Sequence, residues 1–370
     1  MQYFLILGRR HGPCRRLDGS QYASPHASVS DSVRFERSAN TAVGVKVVSP
    51  YHTSALSPTL GIVVRRGVHT VQVREERAYP FVHVDVFTDH MFGGNYLAVF
   101  PDAEGLSAAE MQSIAGEMNL SETVFVLPPS RPDCAASLRI FTPTAELPFA
   151  GHPTIGTSWV LASVGVVPKG LRTFQLEEGV GPISITIDDG AAIWMKHPSA
   201  SFGPPILDRH GVALALGLAE SDLLEGAPIV VGSTGVPFLY VPLRDRSIVD
   251  SAALDVPALE RCGVEPSAQG VFVFAPDANG ARVYSRMFAP HTLGIAEDPA
   301  TGGASGPLGA YLVRNALIPG EGDVALVSEQ GTKMGRQSFV HIRMQVSNRE
   351  ATGIEIGGTV VPVLEGVLRL

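Results

Sequence analysis

The feature that most constrains this sequence is a glycine-rich junction that occurs once in each half of the chain. The first copy, Ile140–Leu161 (IFTPTAELPFAGHPTIGTSWVL), is an apolar strand broken by two prolines and followed by an amphipathic run over Thr154–Ala162. In the second copy, Glu297–Leu317 (EDPATGGASGPLGAYLVRNAL), a Pro- and Gly-rich turn leads into a predicted helix over Leu308–Leu317. Helix starts of this kind direct unpaired backbone N–H groups at whatever lies above them. The repeat therefore predicts two halves that face a shared anion-binding cleft.

Length and composition narrow the class of protein. A chain of 370 residues is long enough for two or three domains. It has no apolar run near the ~18 residues of a membrane helix, so we expect a soluble, cytoplasmic protein without a membrane partner. The net charge of −8 comes from an acidic body, which argues against a nucleic-acid partner. The three cysteines lie far apart, which favours a reducing compartment over a disulfide framework.

Residues 1–79 differ from the rest, because they are rich in Ser, Arg and His and poor in acids. Three interpretations fit this composition. The segment is a transit peptide, or a disordered arm, or it is not part of the mature protein, which would then start near Val68. We favour the third interpretation. Under all three, the segment is an extension and the folded body begins near Tyr79.

Periodicity in the body predicts a mixture of strands and helices. Phe81–Phe87 and Arg282–Phe288 have the pattern of strands. Ser107–Met118 is predicted to be a helix, because Ser107 and Glu110 have the spacing of a capping box. A Pro-rich break at Pro198–Pro205 separates the halves. We therefore predict a first domain over residues 80–197 and a second over residues 204–355.

Six sequence blocks, in this order, resemble the PhzF-like (phenazine-biosynthesis isomerase) family of the diaminopimelate-epimerase fold. The blocks are DVFT (Asp85–Thr88), GGN (Gly93–Asn95), NLSET (Asn119–Thr123), IFTPTAELPFAGHPTIG (Ile140–Gly156), EDPATGG (Glu297–Gly303) and EQGTKMGR (Glu329–Arg336). The resemblance implies an α+β fold of two similar domains, each with a mixed curved sheet wrapped around a central helix. It also implies an active site between the domains, a cofactor-independent isomerase, a homodimer, and a return of residues 356–370 to the first domain.

Three side chains are predicted to carry the chemistry. From its surroundings alone, Glu122 is either a surface glutamate at a turn or a partly desolvated acid with a raised pKa. The resemblance favours the second, because the glutamate of NLSET matches the residue that moves the proton. Alone, His152 and Asp298 would be a packed or capping histidine and a helix-capping aspartate. The resemblance implies that both lie in the cleft and bind or orient the substrate.

The remaining candidates are expected to bind the substrate. Gly151, Gly302 and Gly303 are predicted to offer backbone N–H groups to a carboxylate. Asn95 is a weaker candidate on the substrate side, since it is also a common turn residue. The histidines are scattered, and the sequence contains no HExxH, Walker or GxGxxG motif in the required context. We therefore expect no metal and no cofactor.

Two departures from related sequences bear on the reaction. The two-thiol racemases of this fold have a cysteine at each junction, but here these positions read Phe149–Ala150–Gly151 and Asp298–Pro299–Ala300. This disfavours inversion by a cysteine pair. Gly303 stands where family members commonly have serine, which removes a hydroxyl group from the cleft.

The predicted function is an isomerase that shifts a proton within a small carboxylate-bearing metabolite, with Glu122 as both base and acid. One alternative is a one-base racemase or epimerase. Another is a protein of the same fold that binds a ligand or a partner without turnover, an alternative that Gly303 keeps open.

Overall fold

The computed structural model describes residues 77–264, 268–277, 279–289 and 296–370. The predictions for residues 1–76 lie outside the described residues. Within these ranges the chain forms six α-helices and two 3₁₀-helices, at Glu220–Asp222 and Thr332–Met334. The α-helices are α1 (Ala108–Met118), α2 (Gly151–Val164), α3 (Arg209–Ala215), α4 (Arg246–Ser251), α5 (Val256–Glu260) and α6 (Gly302–Arg314). None of the helices in this part of the chain is long and apolar enough to cross a membrane.

Strands dominate the described structure. They are β1 (Ala78–Val86), β2 (Asn95–Phe100), β3 (Glu122–Leu127), β4 (Ala136–Phe141), β5 (Glu146–Leu147), β6 (Thr173–Glu178), β7 (Gly181–Ile187), β8 (Ile193–Lys196), β9 (Ser201–Phe202), β10 (Val230–Ser233), β11 (Pro237–Pro242), β12 (Val271–Pro276), β13 (Arg282–Phe288), β14 (Glu297–Asp298), β15 (Gly322–Gln330), β16 (Ser338–Ser347), β17 (Glu350–Gly358) and β18 (Val360–Arg369). The predicted strand at Arg282–Phe288 is confirmed.

The strand pairings repeat along the chain. In the first half β1–β2 is antiparallel, β2–β3 parallel, β3–β4 antiparallel and β4–β6 parallel, and β6–β7 and β7–β8 are antiparallel. The second half follows the same order through β10, β11, β12, β13, β15, β16 and β17. In each half a two-residue strand, β5 or β14, directly precedes the long helix. The antiparallel pair β8–β17 joins the two halves.

The C-terminal strand returns to the first half. β18 pairs antiparallel with β1 along its whole length, from Val86 opposite Val360 to Ala78 opposite Arg369. Its counterpart β9 has two residues and pairs with β10 in the same way. These pairings describe the sheet, while the domain bounds 80–197, 204–355 and 356–370 stay a prediction.

Helix α2 differs from its predicted amphipathic character. It begins at Gly151, three residues earlier than expected, and ten of its 14 residues are buried. Both Ile155 and Leu161 are fully buried in the core. A β-carbon built at Gly156 would lie 2.6 Å from the side chain of Leu97. The prediction of an amphipathic helix was wrong, because strands β1, β2, β3 and β8 pack around α2 and bury most of its sides.

Helix α6 also begins earlier than predicted. It starts at Gly302 rather than Leu308, ends at Arg314, and contains Pro307. Glycine and proline favour a turn, but eleven of its 13 residues are buried, mainly against β16 and β17, and this packing overrides local propensity. In contrast, the predicted capping box of α1 is confirmed, since Ser107 and Glu110 cap each other reciprocally.

Candidate active site

The site is built where the starts of α2 and α6 meet. A β-carbon at Gly151 would lie 2.8 Å from both Gly302 Cα and Gly303 N. A β-carbon at Gly302 would lie 2.7 Å from Ile356 Cδ1 and 3.1 Å from Gly151 Cα. Glycine is therefore needed at both positions for the two backbones to approach. The first N–H groups of each helix have no acceptor within the helix, and the positive ends of both helix dipoles meet here.

A cavity of about 300 Å³ lies at this junction. Its polar groups include Glu122, His152, Asp298 and Thr301. Apolar side chains form the opposite wall, among them Leu147, Pro148, Phe149, Val236, Phe238 and Met287. Within the described part of the chain, neither Lys nor Arg is among the residues that line it. Any anion bound here would therefore be held by backbone N–H groups and neutral side chains.

The acid and the imidazole of the site face each other. Glu122 is the first residue of β3 and His152 the second residue of α2. Glu122 Oε2 lies 3.1 Å from His152 Nε2, and the two side chains are 10% and 4% exposed. Neither atom has a hydrogen-bond partner of good geometry in the described protein. The contact is thus close but poorly aligned, and both polar atoms remain able to engage a ligand.

Burial sets the charge states of this pair. It raises the pKa of the Glu122 carboxyl well above its usual value, and the nearby Asp298 raises it further. Burial also lowers the pKa of His152 to about 3, so the imidazole is neutral at neutral pH. The resting pair is therefore a carboxyl group whose raised pKa favours its protonated form, beside an uncharged imidazole.

Asn95 links the two halves across the site. Its Nδ2 donates to Asp298 Oδ1 at 2.8 Å and to the Ala300 carbonyl at 3.0 Å, and it lies 3.1 Å from His152 Nδ1. Asp298 Oδ2 accepts a hydrogen bond from Thr301 Oγ1 at 2.6 Å. Burial raises the pKa of Asp298, while the hydrogen bonds from Thr301 and Asn95 oppose the increase.

The structure brings all seven predicted residues to one place. Six of them line the cavity, namely Glu122, Gly151, His152, Asp298, Gly302 and Gly303. Asn95 is fully buried and contacts both His152 and Asp298 through its side-chain amide. Their roles in a reaction stay predictions. In the described ranges, no group of three or more His, Cys, Asp or Glu side chains has the arrangement of a metal site.

Sequence reasoning missed two residues that support Asp298. Thr301 directly precedes α6, and its hydroxyl donates to the Asp298 carboxylate. Gln330 is fully buried, donates to the Asp298 carbonyl at 2.7 Å, and accepts from Thr301 N at 3.0 Å. Gln330 belongs to the EQG block, so a signal was present. An amide side chain at a strand end nonetheless does not reveal which backbone it will contact.

The fold is shared with solved structures. The chain resembles the crystal structure of a PhzF-family phenazine biosynthesis protein from Bacillus anthracis, with a TM-score of 0.72 and 27% identity, covering 79% of this chain and 99% of that one. A hydroxyproline epimerase from Agrobacterium vitis, at 14% identity and a TM-score of 0.54, shares the fold over 80% of this chain and 92% of its own. The predicted α+β epimerase-like fold is therefore confirmed.

Sequence comparison identifies the family. The family described as "Phenazine biosynthesis-like protein" (PhzC-PhzF) matches residues 84–366. The chain is 35% identical over 285 residues to "Uncharacterized isomerase YddE" of Escherichia coli O157:H7, covering 75% of this chain and 94% of that protein. It is 34% identical over 291 residues to trans-2,3-dihydro-3-hydroxyanthranilate isomerase of Pseudomonas aeruginosa, covering 77% and 98%.

The fold and the named relatives together identify an isomerase of the epimerase-like α+β class. The chain belongs to the PhzC-PhzF family, as its sequence blocks predicted.

Proposed function

We propose that this isomerase moves a proton between two atoms of a small carboxylate-bearing metabolite, with Glu122 as the acid–base group. The observation that carries the proposal is the buried contact between Glu122 and a neutral His152 beside two helix starts. A general acid–base group works best when its pKa lies near the working pH. Burial moves the pKa of Glu122 in that direction, so the same carboxyl can take a proton and return it.

The substrate carboxylate would bind at the helix starts. The N–H groups of Gly151, Gly302 and Gly303 lie where the two helices nearly touch, and the positive ends of both helices favour an anion. Since the lining described above contains neither Lys nor Arg, this backbone site is the main anchor for a negative group. It fixes one end of the substrate while the rest extends past Glu122.

His152 and Asp298 are proposed to orient and polarise the substrate. The neutral His152 is held by Asn95 at Nδ1, and its Nε2, 3.1 Å from Glu122 Oε2, makes no well-aligned hydrogen bond. Asp298 is held by Asn95 and Thr301, so its carboxylate is fixed before any substrate binds. Such pre-organisation reduces the rearrangement needed during the reaction.

In the reaction, ionised Glu122 takes a proton from one carbon of the substrate, and the electron pair of that C–H bond moves into the adjacent double-bond system. Glu122 then gives the proton to a different atom, so the double bond shifts and no atom is gained or lost. The name of the Pseudomonas aeruginosa relative, a dihydro-hydroxyanthranilate isomerase, supports a ring-bearing carboxylate as the substrate class. A homodimer and a cytoplasmic location remain predictions.

A test is to incubate the full chain with a panel of cyclic and amino carboxylates and to identify products by NMR. The proposal expects one compound to be converted to an isomer with a moved double bond. Inversion of a stereocentre without a double-bond shift would instead support the one-base racemase or epimerase. Binding without any conversion of the bound compound would support the non-catalytic alternative.

A further inference from the structure

Gly303 differs from the other two glycines at the helix junction. Gly151 and Gly302 cannot carry a β-carbon without collision, as described above. A β-carbon at Gly303 would have only Phe238 near it, with Cε2 at 3.7 Å and Cζ at 4.0 Å. These are ordinary contact distances. The backbone at Gly303 also has no positive φ that would call for glycine.

The helix itself gives no reason for glycine at this position. Gly303 is the second residue of α6, and glycine is less favourable in a helix than alanine because it loses more backbone entropy on folding. The ring of Pro307, one turn further along, is not within 4 Å of a β-carbon at Gly303, so it does not exclude a side chain. The fold would thus accept a side chain at Gly303, and the helix does not favour glycine there. We therefore look for the reason for glycine in the cavity that this residue lines.

The open side of Gly303 faces an apolar wall. Phe238, Met287 and Phe149 are 4%, 1% and 3% exposed and belong to the main core, which makes the wall rigid. The ring of Phe238 is packed against Gly270, where a β-carbon would lie 3.5 Å from Cδ1 and 2.6 Å from Met287 Sδ. Gly270 and Phe238 are thus neighbours in the core. A side chain at Gly303 would reach Phe238 and occupy space beside it in the cavity.

We propose that Gly303 is a specificity-determining residue, which opens a subsite over Phe238 for the hydrocarbon part of a bulky carboxylate substrate. The inference rests on the proposed function in one respect, since the carboxylate is taken to bind at the helix starts. A group anchored there lies beside Gly303, and its apolar portion reaches Phe238. The chain therefore selects ring-bearing carboxylates over short ones at this position.

The test measures binding of two probes, benzoate and acetate, to the full chain by NMR titration of the protein signals. The variants are Gly303→Ala and Gly303→Val. The matched control is Gly116→Ala, which changes a helical glycine away from the site. A β-carbon at Gly116 would lie 3.5 Å from its nearest atom.

We expect benzoate to bind the unaltered chain more tightly than acetate. Gly303→Val should weaken benzoate binding about tenfold or more, the range for an added group in an apolar pocket. Acetate binding should change by less than about twofold.

Gly303→Ala keeps the proposal testable if the valine variant does not fold, because its single β-carbon fits. It should unfold at the same urea concentration as the unaltered chain or higher, and still weaken benzoate relative to acetate. Equal effects on the two probes, no effect on either, or failure of benzoate to bind the unaltered chain would overturn the proposal. Since binding requires no turnover, probe discrimination without isomerisation of any compound would refute the proposed function and leave the subsite standing.

Discussion

His152 Nε2 lies 3.1 Å from Glu122 Oε2, and the two residues reach this contact from different elements, a helix start and a strand start. The contact joins an acid whose pKa is raised to a base whose pKa is lowered, so neither is charged by pairing with the other. A charged imidazole would hold Glu122 as the carboxylate of a buried ion pair. Because His152 is neutral, Glu122 can be ionised when it takes the substrate proton and protonated until it returns it.

The role of His152 can be separated from that of Glu122 by pH. Since burial lowers the pKa of His152 to about 3, the imidazole stays neutral between pH 5 and pH 9. We therefore expect His152→Gln to reduce the rate of proton exchange by about 10²-fold, the lower end for a lost acid–base or orienting group. The shape of the pH–rate profile between pH 5 and pH 9 should not change. If a pH-dependent slope present in the profile of the unaltered chain were missing from that of His152→Gln, His152 would itself titrate in this range. That result would contradict the assignment of a neutral imidazole.

The backbones of α2 and α6 approach each other closely at Gly151, so we expect a side chain at this position to lower the free energy of unfolding substantially. In Gly151→Ala the new β-carbon meets backbone atoms of Gly302 and Gly303 at 2.8 Å, and backbone yields less readily than a side-chain tip. Overpacking of this kind typically costs about 1–3 kcal/mol. Urea unfolding should show this loss in Gly151→Ala, while Gly116→Ala in α1 should be at least as stable as the unaltered chain. Equal stability of the two variants would show that the helix starts are not in contact.

Glu178, at the end of β6, predicts a specific pH dependence of stability. It is buried, accepts a hydrogen bond from Thr154, and burial raises its pKa to about 8. Between the usual glutamate pKa of 4.5 and about 8, the unfolded chain loses this proton and the folded chain keeps it. The contribution of Glu178 to the free energy of unfolding is thus fully present below pH 4.5 and falls as pH rises toward 8.

Glu178→Gln removes this dependence, because glutamine does not titrate. Urea unfolding from pH 4.5 to pH 8.5 should show the variant gaining in stability relative to the unaltered chain as pH rises. The exposed Glu117→Gln variant should follow the unaltered chain throughout. A constant difference between Glu178→Gln and the unaltered chain at every pH would contradict the prediction.

The sequence was sufficient to select residues that the structure brings together, but not the contacts among them. Gly151 and His152 stand out locally, because a glycine-flanked helix start is a recognisable pattern. The capping box at Ser107 and Glu110 is equally local, and the structure confirms it. The hydrogen bond from Asn95 to Asp298 joins residues 203 positions apart, and no local pattern encodes it.

The parts that could not be predicted depend on tertiary burial. Helix α2 was expected to be amphipathic, yet its polar residues Thr154, Thr157 and Ser158 are all fully buried. Ser158 satisfies its hydroxyl by donating to a carbonyl one turn earlier, which permits burial. Glu178 likewise looks like a surface acid in a strand of alternating pattern. It is buried next to α2, whose Thr154 donates a hydrogen bond to it from another part of the chain.

The measurement that tests the account most directly is solvent deuterium incorporation in the unaltered chain and in Glu122→Gln. The full chain would be incubated in D2O with the carboxylate that it isomerises, and the substrate and product would be followed by NMR. Glu117→Gln is the matched control, because it makes the same change on an exposed helix surface. Ligand-induced shifts of the protein signals would confirm that each variant still binds the compound.

We predict that deuterium enters the compound at one position with the unaltered chain and with Glu117→Gln. With Glu122→Gln the incorporation should be slower by about 10²–10⁴-fold, the contribution of a general acid–base group, while binding is retained. Incorporation at the full rate in Glu122→Gln would contradict the account, because the proton would then be carried by another group.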